Sequence, residues 1–531
     1  MRTDRSEQRL YEVAARQLWF ALVCSDVLDL GTSSFREVHP PAIRIVVTNQ
    51  HVLPSNRKAR LCVHSPRRRN DTVFSGKVFV RELLADTAER AARYLSEIDL
   101  RPVVPSVESI ARLQALGGTL PEHPTGPAEL LALLDEIGSP ATVATTGGRY
   151  FGFVVGGTLP AALAANWLAG AWDQNAAMQV MSPVAAKLEE IVREWTLDLL
   201  ALPSGSGVGF VTCTTMANFS GLAAARSALL QRSGWNVEED GLFGAPPIRV
   251  VVGEEVHVSV LKALNMLGLG RSRVTTIPAD GQGRMRADAL PGLDERTIVC
   301  IQSGNVNTGA FDPAKEICAR AGDTGAWVHV DGAFGLWGAV SPFYAPLLDG
   351  VSGADSWAID CHKWLNVPYD SGMVAVRQPE HLRRALSAGN AAYLTQSSGR
   401  EPWQYTPDSS RRARGIELWA AMRSLGRSGL REMIERNCRQ AKQFADGLRA
   451  AGFSVLNEVV LNQVLVSFGP PEETRRVIAA LQADGTCWFG GTVWKGHTAM
   501  RISVSCWATS DDDIERSISA IVGIAKAGKN C

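Results

Sequence analysis

The chain has 531 residues, enough for a large apolar core and two or three domains. Its 54 basic and 54 acidic side chains balance, so nothing indicates a nucleic acid or an anionic membrane surface as a partner. The ten cysteines lack paired or metal-type spacing, which favours free thiols, a reducing compartment such as the cytoplasm, and no metal site. No stretch reaches the roughly 20 consecutive apolar residues of a membrane span.

Residues 1–75 differ in composition from the rest of the chain, because clusters rich in arginine and proline interrupt any periodicity. They lack the apolar core and cleavage site of a signal peptide. Two interpretations stay open. The segment is an atypical, poorly ordered extension, or the native chain starts near Val78–Val80 at an alternative codon, since no methionine lies between Met1 and Met178. Low order is expected in either case.

A helical segment is predicted over residues 76–145. Apolar residues recur at helical spacing over Arg81–Ile98, the proline-rich Arg101–Pro105 breaks the pattern, and Ala128–Ile137 resumes it. Further along, the hydroxyl-rich turn Thr212–Thr215 precedes a predicted helix. The N–H groups and positive dipole end of a helix N-terminus favour a bound phosphate, although an ordinary threonine N-cap gives the same pattern.

A carboxylate and a lysine follow two short apolar strands. Trp327–Val330 leads to Asp331, and Ser356–Ile359 leads to Lys363, at the edge where open α/β sheets bind their ligands. Pyridoxal phosphate enzymes need both groups. The carboxylate keeps the pyridine nitrogen protonated, and the lysine amine forms the Schiff base. Taken singly, each residue could instead be a turn or a solvated surface group.

Several separated motifs in the same order resemble the group II pyridoxal-dependent amino acid decarboxylases, which act on glutamate, aromatic amino acids, histidine and cysteine sulfinate. The resemblance covers roughly residues 80–525. Its motifs are Trp327–Ala333, Asp360–Trp364, the turn described above, and His257–Ala263, which resembles the family's His-x-Ser-x-x-Lys-Ala segment. The chain departs from the family at Cys361, where many members carry proline.

The resemblance implies the fold type I architecture of pyridoxal phosphate-dependent transferases. A large α/β domain with a seven-stranded, mostly parallel sheet is expected over residues 146–377, and a lid loop with a small C-terminal α/β domain over 378–531. The resemblance also implies that residues 76–145 wrap the partner subunit of a homodimer with shared active sites.

Cofactor contacts are also implied by the resemblance. Lys363 would carry pyridoxal phosphate, Asp331 would bind its pyridine nitrogen, and His257 would stack on the ring opposite the Ala333 methyl. His257 could also guide a proton, or simply be satisfied at a helix start. The remaining contacts implied are hydroxyl and imidazole groups: Thr214, Thr215 and His362. Where many members of the family have Gly-Thr-Thr, this chain has Gly304–Val306, and the amide of Asn305 or Asn307 would replace the missing hydroxyl near the ring.

Substrate contacts come from three regions that resemble the family. Arg501 matches the position that clamps the substrate α-carboxylate in glutamate decarboxylases, unless it forms a structural salt bridge. Tyr405, in the polar loop 393–412, is the candidate for the lid tyrosine that returns a proton to Cα, with ordinary loop packing as the alternative. The other predicted substrate contacts are two aromatic and two amide side chains: Phe151, Phe153, Gln174 and Asn175.

The implied reaction is decarboxylation of an L-amino acid to the amine and CO2. An aminotransferase and an aldehyde synthase of the same fold are the alternatives, together with a noncatalytic cofactor-binding protein, against which the reactive groups argue. The substrate side chain stays open. Phe151, Phe153 and Trp172 would suit an aromatic side chain, whereas Arg149 with the two amides would suit an acidic one.

Overall fold

A computed structural model describes residues 77–387 and 399–527. All described residues belong to one compact unit. The predicted low order of residues 1–75 therefore concerns residues outside the described part. Within that part, no helix combines the length and apolarity needed to cross a membrane.

The described helices are α1 (Lys77–Ser96), α2 (Val107–Arg112), α3 (Pro127–Gly138), α4 (Pro160–Trp172), α5 (Pro183–Leu199), α6 (Thr214–Arg232), α7 (Val237–Asp240), α8 (Val258–Met266), α9 (Ala314–Thr324), α10 (Pro379–Leu386), α11 (Gly415–Ala450), α12 (Pro471–Asp484) and α13 (Asp511–Ala527). The described strands are β1 (Gly207–Val211), β2 (Arg249–Gly253), β3 (Thr275–Ile277), β4 (Thr297–Gln302), β5 (Trp327–Asp331), β6 (Ser356–Asp360), β7 (Gly372–Val376), β8 (Ser454–Val455), β9 (Gln463–Ser467), β10 (Gly490–Trp494) and β11 (His497–Ser503).

Seven strands form the large sheet, in the order β1-β7-β6-β5-β4-β2-β3. Strands β2 to β6 run parallel, and β7 lies antiparallel between β1 and β6. Alternate residues of β4 enter different apolar clusters, Ile298 on one face and Val299 on the other. Helices cover both faces, which explains why the strands read as continuous apolar runs. The predicted seven-stranded, mostly parallel sheet is confirmed.

A second sheet of four antiparallel strands, β10-β11-β9-β8, forms the C-terminal domain. Helices α12 and α13 and the end of α11 pack their apolar residues with it. Helix α11 continues past the non-helical Gly426 to Ala450. The small C-terminal α/β domain expected from the sequence is confirmed.

At the N-terminal side of the described part, α1 and α3 form the expected helical segment. Arg90 and Arg93 on α1 both pair with Asp135 on α3, at 3.0 and 2.7 Å. These ion pairs are partly exposed, so the packing of apolar residues has to supply most of the stability.

Candidate active site

Asp331 lies at the carboxyl end of β5, in the centre of the large sheet. Its side chain is buried and surrounded by donors. Oδ2 accepts a hydrogen bond from Asn218 Nδ2 at 3.1 Å and lies 3.4 Å from Ser259 Oγ, while Oδ1 accepts from the Ala333 N–H at 3.3 Å. Donors from three separate segments therefore hold the Asp331 side chain in place.

His257 immediately precedes α8 and lies close to Asp331. Its Nδ1 is 2.7 Å from Ser259 Oγ and accepts the Ser259 N–H at 3.3 Å. Burial lowers the pKa of His257; Asp331 opposes this shift, and the positive charges of Lys363 and Arg501 add to it. The imidazole is therefore neutral near pH 7. Asp331, Lys363 and Arg501 all influence its pKa, so these three predicted site residues and His257 lie in one region.

Lys363 points toward a second carboxylate, Asp360, which was not among the predicted site residues. Lys363 Nζ lies 3.0 Å from Asp360 Oδ2, and the Thr214 N–H donates to Asp360 Oδ1 at 2.6 Å. Burial raises the pKa of Asp360, but Lys363, His362 and the Thr214 N–H together hold it below its ordinary value. The only sequence signal for this carboxylate was its place three residues before Lys363.

Unpartnered polar atoms lie where the phosphate was expected. Thr214 Oγ1 and Ser371 Oγ are buried and have no hydrogen-bond partner in the described part of the chain. His362 Nδ1 accepts the Ser371 N–H at 3.2 Å, so its proton sits on Nε2 and can be donated. Together with the N-terminus of α6, these groups fit a phosphate, and Ser371 adds to the predicted set.

The amide after β4 also has a free donor. Asn305 Nδ2 is buried without a partner among the described residues, while Asn305 Oδ1 accepts the N–H groups of Asn307 and Thr308. Asn307 Oδ1 instead accepts from Thr492 Oγ1 at 3.1 Å. Of the two amides predicted to replace the family's hydroxyl, Asn305 has the available N–H.

Comparison with known proteins agrees with this geometry. The model of the pyridoxal-dependent decarboxylase conserved domain matches residues 130–469, more than half of the chain. The chain belongs to this decarboxylase family. Membership confirms the predicted enzyme class, a pyridoxal phosphate-dependent carboxy-lyase acting on an amino acid, and confirms the cofactor.

Proteins similar to this chain are named for different activities. The chain is 28% identical to tryptophan decarboxylase 1 of Oryza sativa subsp. japonica over 80% of its own length and 89% of that protein. It is 30% identical to phenylacetaldehyde synthase of Petunia hybrida, over 50% of this chain and 55% of that one. The crystal structure of Oryza sativa TDC with PLP and tryptamine has the same fold, with a TM-score of 0.79, 24% identity, and coverage of 85% of this chain and 99% of that chain.

The structure corrects the prediction that Phe151 lines the substrate pocket of the decarboxylase. Its ring is buried in the core of the C-terminal domain, stacked on Phe489 at 5.3 Å and edge-on to Phe444 at 5.0 Å. Phe153 is exposed and lies 5.3 Å from Trp488. Sequence periodicity could not tell which core an aromatic residue would join, because two domains pack against this segment.

The predicted polar pocket contacts are engaged elsewhere. Gln174 Nε2 donates to the Trp172 carbonyl at 2.8 Å, and Asn175 Oδ1 accepts the N–H groups of Ala177 and Arg411. Arg149 is buried and lies 3.7 Å from Asp513. Asn175 and Arg149 therefore connect segments far apart in the sequence, whereas Gln174 is bound to its own neighbour.

Tyr405 does not belong to a lid in the described part of the chain, which corrects a further prediction. It ends a short 3-10 helix, Pro402–Tyr405, and packs against β1 with Arg400 4.4 Å above its ring. Residues 393–398 of the predicted lid lie outside the described residues. A tyrosine that the sequence reading missed, Tyr369, has its ring 4.3 Å from that of His362. Tyr369 is 60% exposed, and its partial burial, with Asp360 and Tyr150 nearby, raises its pKa, so the phenol keeps its proton near pH 7.

His329 lies on β5, two residues before Asp331, and its burial predicts that the stability of the fold depends on pH. Burial lowers the pKa of His329 to about 4. The unfolded chain, with a histidine pKa of about 6.5, takes up a proton first as the pH falls, so the folded state loses up to about 3 kcal/mol between pH 6.5 and 4. His329→Gln is expected to lose less stability over this range. Urea unfolding of the apoprotein at pH 7 and 4.5 measures the difference, with the exposed His497→Gln as control; equal losses in all three proteins would contradict it.

Proposed function

We propose that the chain decarboxylates an L-amino acid to the amine and CO2. The observation that carries this proposal is that Asp331 and Lys363 lie at the carboxyl edge of the large sheet, Asp331 shares Ser259 with His257, and Arg501 of β11 lies near the same imidazole. Pyridoxal phosphate, when bound, accepts the electron pair that remains on Cα after CO2 leaves.

Each residue has a distinct proposed task. Lys363 would hold the cofactor through its amine, which the substrate amine would replace. Asp331 would keep the pyridine nitrogen protonated, and His257 and Ala333 would hold the ring between them. The phosphate is held by donors on three segments: Thr214, Thr215, His362 and Ser371.

Arg501 suits the substrate α-carboxylate. Burial lowers the pKa of its guanidinium, and no acidic neighbour offsets this shift. Within the described residues, no carboxylate lies within ion-pair distance of it, so the structural salt bridge considered as its alternative is absent there. The Arg501 guanidinium is planar, desolvated and near His257, so it is well placed to bind a carboxylate in a bidentate manner.

Arg501→Gln is expected to raise KM for the amino acid and to lower kcat/KM roughly 10- to 100-fold, since a charged hydrogen bond contributes about 1.5–3 kcal/mol. The amine product lacks the carboxylate, so its inhibition constant should barely change. Steady-state kinetics with the amine as competitive inhibitor measure both, with the partly exposed Arg449→Gln as control. Equal weakening of amino acid and amine would exclude the carboxylate as the group that Arg501 binds.

An aromatic substrate side chain is the proposed class. Arg149, Gln174 and Asn175, the groups that would suit an acidic side chain, are engaged in the fold. Tyr369 lies beside His362 and near Tyr150, whose ring stacks on Trp488 at 5.0 Å. Relatives named for tryptophan and tyrosine decarboxylation support this choice.

The direct test is CO2 release by the purified, cofactor-loaded protein across aromatic, acidic and sulfinic amino acids. Keto acids and aldehydes are measured in parallel. Amine and CO2 from aromatic substrates are expected. Keto acid without CO2 would make the protein an aminotransferase, and aldehyde in place of amine would make it an aldehyde synthase.

A homodimer is also proposed. Helices α1, α3 and α4 expose large apolar side chains on the described surface, which is typical of an interface: Leu84, Leu95, Leu130, Leu134, Trp167 and Leu168. Sedimentation velocity distinguishes a dimer from the monomer that would contradict this proposal.

A further inference from the structure

A chain of four hydrogen bonds runs behind Asp331. Trp327 Nε1 donates to Ser356 Oγ at 2.9 Å, and Ser356 Oγ lies 2.8 Å from His329 Nδ1. His329 Nε2 lies 2.9 Å from Asn218 Oδ1, and Asn218 Nδ2 donates to Asp331 Oδ2 at 3.1 Å. Trp327 is 1% exposed, and the three groups between it and Asp331 are fully buried. Water does not compete for these hydrogen bonds.

The groups at the two ends of this hydrogen-bond chain determine the direction in which each group donates. An indole N–H can only donate, and an ionised carboxylate can only accept. The Ser356 hydroxyl therefore donates to His329 Nδ1, which leaves the histidine proton on Nε2. That proton goes to Asn218 Oδ1, and the amide turns its N–H toward Asp331. Every group donates toward the carboxylate.

Protonation of Asp331 would oppose this order. An O–H on Oδ2 that is directed at Asn218, its nearer partner at 3.1 Å against 3.4 Å for Ser259 Oγ, would need the amide oxygen as acceptor. The amide would then have to turn over, and His329 would have to move its proton to Nδ1. Ser356 would then face two donors, Trp327 and His329, and its own hydrogen would lose its acceptor in this chain. Since an unsatisfied buried polar group is unfavourable, the chain favours the ionised carboxylate.

Helix α6 holds the imidazole in place. A Cβ added to Gly221 would lie 2.8 Å from His329 Cε1, so the absence of a side chain at this position lets the helix pack directly on the ring. Asn218, one turn earlier on the same helix, also donates to Ser259 Oγ at 3.1 Å. The amide thus connects Asp331 with the serine that contacts His257.

We propose that Asn218 and His329 are positioning residues that keep Asp331 ionised and directed at the pyridine nitrogen of the cofactor. The proposal rests on the proposed function, since it assigns the role of Asp331 to that site. Without the donated hydrogen bonds the carboxylate becomes more basic, and the shared proton moves from the pyridine nitrogen toward Asp331.

The test is the ¹⁵N resonance of pyridine-labelled pyridoxal phosphate bound to the full-length protein at constant pH 7. In Asn218→Leu the resonance is expected to move from the pyridinium toward the neutral pyridine position, with about a tenfold change in the ratio of the two forms. Ser356→Ala, a smaller change that disturbs packing less, should move it in the same direction. His329→Gln keeps an N–H donor toward Asn218 and should stay near the wild type.

Asn457→Leu is the control, because Asn457 is also a buried asparagine, and its amide bonds to the backbone of Thr308, Gln463 and Leu465, outside the hydrogen-bond chain to Asp331. A resonance that stays at the pyridinium position in both Asn218→Leu and Ser356→Ala would overturn the proposal, whatever the decarboxylation assay gives. Should Asn218→Leu fail to fold, Ser356→Ala decides alone. Absence of CO2 release by the wild type would instead overturn the proposed function and leave the resonance measurement intact.

Discussion

Lys363→Ala is expected to lower kcat by on the order of 10³-fold or more. The variant loses both the covalent bond to the cofactor and the amine that exchanges with substrate and transfers protons, and general acid–base catalysis alone contributes about 10²- to 10⁴-fold. No other lysine side chain replaces it in the described site, where Asp360 lies 3.0 Å from Lys363 Nζ. CO2 release under saturating substrate measures the loss.

Lys262→Ala is the control for this variant, because Lys262 is exposed on α8, five residues after His257 in the same motif. Its kcat should stay close to that of the wild type. Borohydride reduction followed by peptide mass spectrometry should attach the cofactor mass to the Lys363 peptide of the wild type and of Lys262→Ala. Labelling of a different lysine, or substantial turnover by Lys363→Ala, would contradict the assignment.

Asp331→Asn is expected to lower kcat/KM about 10²- to 10⁴-fold. The change keeps the shape of the side chain but removes the charge opposite the pyridinium, and loss of one partner of a buried ion pair costs about 3–5 kcal/mol. Asn218 Nδ2, now 3.1 Å from an uncharged group, would lose a charge-assisted hydrogen bond. The cofactor should still be bound by Lys363, so its absorbance remains while turnover falls.

Asp355→Asn serves as the control, since Asp355 lies at the opposite end of the sheet, where its Oδ2 accepts the Val328 N–H at 2.8 Å. Any fall in activity caused by disturbing β5 should appear in both variants, whereas the loss of pyridinium stabilisation should appear only in Asp331→Asn. Similar kinetics for the two variants would show that the charge of Asp331 is not needed.

Much of the large domain was predictable because its strands are buried on both faces. Short, mostly apolar runs such as Trp327–Val330 and Ser356–Ile359 are typical of buried strands, and the structure has strands there. Parallel strands present their carboxyl ends at one edge, so the sequence predicts that Asp331 and Lys363 meet near it. The motifs that resemble the family predicted the cofactor, because they contain both Asp331 and Lys363.

Aromatic and loop residues were harder to place. Phe151 joins the C-terminal core and Tyr405 packs on β1, because apolar contacts available only in the folded chain outweigh any local preference. Asp360 is a residue whose place in the site only the folded structure reveals. Its neighbour Lys363 was chosen from the sequence, but the hydrogen bond from Thr214, 146 positions earlier, exists only when β1 and β6 stand in one sheet.

The sequence by itself determined the family, the cofactor and the two strands that carry Asp331 and Lys363, since these depend on motifs and on runs of apolar residues. Only the tertiary structure decided which side chains are free to bind a ligand and which are engaged in the fold. Among the described residues Arg501 has no ion-pair partner whereas Arg149 has one, and the direction of the hydrogen-bond chain from Trp327 to Asp331 follows from four contacts among segments far apart in sequence. Hydrogen bonds are short and directional, so their partners are set by the packing of helices and strands and leave no periodic trace along the chain.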